Sequence, residues 1–117
     1  MTAGHTITIA PADLHVTVTI DGETVAETDR PVLLDETGLP TRYYLRPEDV
    51  SVELRPTSFS THCPFKGDAS YWSVALGDDV HDGIAWSYET PLAGAEQIAG
   101  LVSFFPERAE IAVAPAA

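Results

Sequence analysis

Residues 14–20 constrain the fold of this chain most: Leu14, Val16, Val18 and Ile20 alternate without a break with His15, Thr17 and Thr19. A helix would scatter those apolar side chains around its circumference. In a strand they share one face, so the run predicts a strand half-buried against a core. Asp21-Gly22 follows at once. That pair suits the positive φ of a two-residue hairpin turn and predicts a return strand with Glu23 opposite Ile20 and Val25 opposite Val18.

Period-two patterning recurs over 50–54, where Pro56 is expected to break it, over 69–76 and over 84–89. Residues 31–35, 42–45, 101–105 and 109–113 read as further short strands, and 36–40 as a turn. Residues 46–49 fit either one helical turn with Pro47 at its first position or a loop. The stretch 58–68 lacks periodicity and contains Pro64 and Gly67, which predicts an ordered loop, and 77–83 reads as an acidic connection. Thr90 as N-cap, Pro91 and a terminating Gly100 frame one short helix near 91–100. About eight or nine short strands with one helix predict a mainly β, antiparallel sandwich or barrel-like fold. The length, 117 residues, suits a single domain spanning 1–117. Pairing the strand of Trp72, Val74 and Leu76 with that of Ile84, Trp86 and Tyr88 predicts an aromatic wall of Trp72, Trp86 and Tyr88.

The charge narrows the classes of partner. Eighteen acidic residues against six basic ones give −12, and the basic residues are dispersed, so neither nucleic acid nor an anionic membrane surface is an expected partner. A small anionic ligand remains compatible, because one local cationic pocket outweighs a negative average field. No apolar run approaches the ~20 residues of a bilayer span, and no basic region with an apolar run opens the chain, so a cytoplasmic protein is expected. With one cysteine there is no internal disulfide. A metal would have to rely on His5, His15, His62 or His81 with carboxylates at no recognisable spacing, so neither metal nor cofactor is expected.

The lone cysteine and the lone lysine coincide in Thr61-His62-Cys63-Pro64-Phe65-Lys66-Gly67. Continued through Asp68-Ala69-Ser70-Tyr71-Trp72, this segment resembles the signature of a bacterial family, domain of unknown function 427. Tyr43-Tyr44 followed by Pro47 and Asp49-Val50, Trp86-Ser87-Tyr88 with Pro91, and Ile98-Ala99-Gly100 before Phe104-Phe105 extend the resemblance over nearly the whole chain. It implies a small all-β fold and no particular reaction. A nucleotidyltransferase label is sometimes attached to the family. That chemistry needs metals on closely spaced carboxylates behind a Gly-Ser phosphate loop. Asp78, Asp79 and Asp82 have no such loop before them and read as a solvated acidic turn.

Two functional readings follow. In the first, the chain is a small-molecule binding module. Lys66 and Arg42 anchor an anionic group, Gly67 adopts positive φ or admits close backbone approach, and Trp72, Trp86, Tyr71, Tyr88, Tyr44 and His62 line the pocket. Against it stands an internal salt bridge from Lys66 to Asp68 or Asp82 and a purely structural role for the aromatic residues. In the second, Cys63 is a nucleophile activated by Lys66 or His62 for thiol or acyl chemistry. Against that stands Cys63 as a small buried hydrophobe, with His62 pointing to the opposite side of an extended segment. A protein-interaction domain and a homodimer are further alternatives.

Overall fold

The structure, a computed structural model, describes residues 6–116. Among these, ten strands form three antiparallel sheets. One contains β1 (Ile7–Pro11), β4 (Val32–Glu36) and β5 (Arg42–Tyr44) in the order β1-β4-β5. The second contains β2 (Leu14–Ile20), β3 (Glu23–Thr28) and β10 (Glu110–Pro115) in the order β10-β2-β3. The third runs β6 (Glu53–Cys63), β7 (Gly67–Leu76), β8 (Asp79–Ser87) and β9 (Val102–Phe104) in sequence. Reciprocal backbone bonds of 2.8 Å between Leu45 and Val102 join the end of β5 to the start of β9, and Ser51 N donates to Val25 O at 2.8 Å. The sheets are thereby tied edge to edge, as the antiparallel, mainly β expectation required.

The hairpin forms as its sequence dictates, with φ of 51° at Asp21 and 81° at Gly22, and Glu23 pairs with Ile20. Beyond it the register shifts: Thr24 faces Thr19 and Ala26, not Val25, faces Val18. Val25 is the extra residue of a β-bulge, which lets two consecutive apolar side chains, Val25 and Ala26, both turn inward. They join Val16, Val18, Ile20, Val74, Ile84 and Phe104 in the larger core. Each fully buried Val, Ile or Phe there contributes roughly 1.5–3 kcal/mol of apolar transfer. A second cluster of Leu34, Tyr44, Ala69, Trp86, Tyr88 and Ile98 fills the space between β4, β5 and the other end of the β7–β8 hairpin.

Three local expectations are corrected. No α-helix occupies 91–100; a 3-10 turn spans Glu96–Ile98, and Ile98 N to Ala95 O and Ala99 N to Glu96 O are its i to i−3 bonds. Gly94 at φ 93° breaks the window, Leu92 N is drawn off to Lys66 O, and ten residues are too few to repay helix nucleation. Residues 58–63 are not a loop: β6 runs through Pro56 to Cys63 and only residues 64–66 turn. Pro56 is tolerated because β6 is the edge strand of its sheet. The acidic connection shrinks to residues 77–78, since β8 already begins at Asp79. At 46–49 the helical alternative holds, as a 3-10 turn over Pro47–Asp49.

Candidate functional site

Strand order and register decide which of the expected residues meet. On β7 and β8, Tyr71 pairs with Trp86 and Trp72 with Ala85, so Trp72 and Trp86 project from opposite faces of the sheet. The expected wall of Trp72, Trp86 and Tyr88 therefore does not form. Trp72 packs against the larger core and donates its indole N–H to Ser87 Oγ at 2.9 Å. Tyr71 takes its place beside Trp86. The alternation alone left that register open.

Trp86 and Tyr88 border a cavity of about 180 Å³ shared with Arg42 and Tyr44 of β5, Glu36 of β4, Lys66 of the β6–β7 turn, and Tyr71 and Phe105. Of the anticipated pocket residues, Arg42, Tyr44, Lys66, Tyr71, Trp86 and Tyr88 thus converge on one place. Lys66 reaches it because Gly67 turns the chain at φ 109° and the Lys66 carbonyl accepts Leu92 N at 2.9 Å. A Cβ on Gly67 would lie 3.4 Å from Leu92 N and 3.5 Å from the Pro91 Cα, so this glycine admits a neighbouring backbone segment and not a ligand.

The electrostatics of the cavity are uneven. Lys66 Nζ donates to Glu36 Oε1 at 3.0 Å, with side chains only 13% and 9% exposed, and lies 5.8 Å from the centre of the Tyr88 ring. The internal ion pair weighed against a ligand role is thus present, with Glu36 as its acid. Arg42 differs. Its guanidinium carbon sits 5.3 Å over the Trp86 ring, and Nη1 is buried with no hydrogen-bond partner among the described residues. An unmet charged donor out of water costs at least about 1–3 kcal/mol.

Two hydroxyls face the same space. Trp86 donates its indole N–H to Tyr44 Oη at 3.1 Å, which leaves the Tyr44 proton available to another acceptor. Burial pushes the Tyr44 hydroxyl up to about 12, against the opposing indole hydrogen bond and Arg42. Burial also raises Tyr88 well above the ordinary tyrosine value, reinforced by neighbouring Tyr44. Both remain neutral donors at any physiological pH.

Cys63 and His62 stand apart from this cavity. Cys63 is partly buried against the smaller core. His62 Nδ1 donates to Asp68 Oδ1 at 2.7 Å, and both of those side chains are mostly exposed. Adjacent strand residues project to opposite faces, so His62 is aimed away from the thiol. Among the described residues no group of three or more His, Cys, Asp or Glu side chains is arranged to hold a metal ion. His15 is engaged by Asp29 at 2.5 Å and Glu27 at 2.6 Å, and His5 lies outside the described residues. Among the described residues no helix is long and apolar enough to cross a membrane.

Sequence reasoning reaches Tyr71 among the aromatic candidates and misses Glu36 and Phe105. The signals available were the approach of β4 to the Lys66 turn, which only tertiary pairing supplies, and the register of β7 on β8. A family described as Domain of unknown function (DUF427) matches residues 8–115. No curated protein matches the chain.

Proposed function

We propose that this chain, which belongs to the family of domain of unknown function 427, is a binding module for a small carboxylate held between Arg42, Tyr44 and Tyr88. The observation that carries the reading is Arg42 Nη1, buried over Trp86 without a partner among the described residues. A guanidinium matches a carboxylate with two parallel charge-assisted bonds, about twice as strong as neutral ones. The Tyr44 and Tyr88 hydroxyls add neutral donors, which an anion accepts and a cation does not.

Charge and size limit the ligand further. Among the described residues, Arg42 and Lys66 against Glu36 leave one positive charge at the cavity, which a monoanion neutralises. About 180 Å³ is comparable with the ~150 Å³ that houses a benzene ring, so the seated part is the size of benzoate and well short of a nucleotide. Trp86 and Phe105, in tilted contact at 4.5 Å, form an aromatic wall of the cavity against which an apolar group packs. A nucleophilic Cys63 has less support, because the neighbouring His62 is paired with Asp68.

Thermal unfolding in the presence of benzoate, benzyl alcohol or benzylamine tests the charge requirement. Benzoate at a hundred times its Kd stabilises the fold by about 2.7 kcal/mol and the other two do not. Equal stabilisation by benzylamine, or none by benzoate and acetate alike, rejects the reading.

A further inference from the structure

The third sheet is irregular at two places, and both open on the same side. On β6, Pro56 pairs with Trp72 and Ser60 with Ser70, so Thr57, Ser58 and Phe59 together oppose the single residue Tyr71. On β8, Trp72 pairs with Ala85 and Val74 with His81, so Asp82, Gly83 and Ile84 oppose the single residue Ser73. Bulges re-aim side chains and commonly border sites. Here Thr57 Oγ1 accepts Phe59 N at 3.1 Å and fixes the first bulge, while Ser73 Oγ accepts Gly83 N at 3.0 Å and fixes the second.

Between the two bulges lies a second cavity of about 400 Å³, lined by Thr57, Phe59, Tyr71, Asp82, Gly83 and Phe105. It shares Tyr71 and Phe105 with the Arg42 cavity. The rings form a continuous row: Phe59 to Tyr71 at 5.0 Å, Tyr71 to Phe105 at 6.1 Å and nearly parallel, and Phe105 to Trp86 at 4.5 Å. Phe59, at its outer end, is 62% exposed. A large ring held by its own turn at the rim of an apolar groove contributes little to the core.

We infer that the two cavities are one elongated site for a carboxylic acid carrying an extended apolar tail, with its head at Arg42 and its tail along Tyr71 and Phe105 towards Phe59. The inference rests on the carboxylate reading and extends it to a ligand class. A cationic head site at Arg42 and an aromatic track leading from it, with the Asp82 carboxylate at the far rim disfavouring a second acidic group, match an acid with one carboxylate and an apolar tail. The overall charge of −12 repels such acids at long range, so the tail supplies the affinity that steering does not.

The test is calorimetric binding of acetate, butyrate, hexanoate and octanoate to the native chain and to Phe59→Ala, whose truncated ring is largely solvent-exposed. Affinity is expected to rise about three- to fourfold per methylene that reaches the groove. Phe59→Ala is expected to cut octanoate binding about tenfold and leave acetate unchanged. A series in which all four acids bind equally, or in which Phe59→Ala keeps the full chain-length gain, overturns the elongated site while leaving the carboxylate pocket standing. Failure of every acid overturns both readings. A Phe59-dependent self-association without any effect on octanoate assigns the groove to a second copy and also overturns the inference.

Discussion

Trp86 gives its indole N–H to the Tyr44 hydroxyl at 3.1 Å, across 42 residues of chain, with the two rings edge to face at 6.3 Å. This contact joins β8 to β5 and at the same time sets the polarity of the cavity. With one lone pair of the hydroxyl occupied, its proton is directed to whatever acceptor enters. Trp72, one strand away on the opposite face, spends its own N–H on Ser87 and has no part in the cavity.

Tyr44→Phe removes the acceptor and leaves a buried indole N–H unmet. The expected cost is about 1–3 kcal/mol, read as a lower midpoint in urea with an unchanged slope. Benzoate binding should weaken in the same variant, since one of its donors is gone. Unchanged stability would contradict the role given to this bond.

Stability should fall in alkali for a reason located in the same residue. Tyr44 ionises near its ordinary 10.0 when unfolded and only near about 12 when folded, so the unfolded chain releases its proton first. The stabilisation is complete below pH 10 and is lost as pH rises through about 12. Denaturant midpoints across that window should decline less in Tyr44→Phe than in the parent.

Gly67→Ala would place a methyl group at φ 109°, 3.4 Å from Leu92 N. The strained backbone should cost about 1–3 kcal/mol and displace the Lys66 turn. Calorimetric unfolding and benzoate affinity should both suffer. A fully stable Gly67→Ala chain would contradict the tight approach of residues 91–92.

Cys63, packed against the smaller core and remote from the His62–Asp68 pair, should behave as structure. A thiol reagent should modify it much more slowly in the folded chain than in denaturant, and Cys63→Ala should retain benzoate binding. Rapid modification of the native thiol, with loss of binding, would restore the nucleophile reading.

The fold was legible wherever one face of a strand is buried and the other wet. β2 is the clearest case, because its alternation is also its burial pattern. β6 was illegible past Pro56 for the complementary reason: as an edge strand with nearly every residue at least partly exposed, it carries no apolar rhythm to read. The helical window at 91–100 had the right end signals, but tertiary bonds from Leu92 and Gly100 to Lys66 and Tyr88 claimed its backbone. At the site, the lone lysine and Arg42 stood out by chemistry. Their neighbours Glu36 and Phe105 did not, because strand order and the two bulges, which no local pattern encodes, bring them in.

The two tryptophans make the central claim directly measurable, since each has one indole N–H resonance and only that of Trp86 lies at the cavity. Titration with benzoate, followed by nitrogen–proton correlation spectra, is predicted to shift the Trp86 indole signal to saturation and leave that of Trp72 in place. In Arg42→Met the shift should require about ten- to a hundredfold more benzoate. A Trp86 signal that does not move, or that moves equally in the parent and Arg42→Met, would contradict a carboxylate site at Arg42.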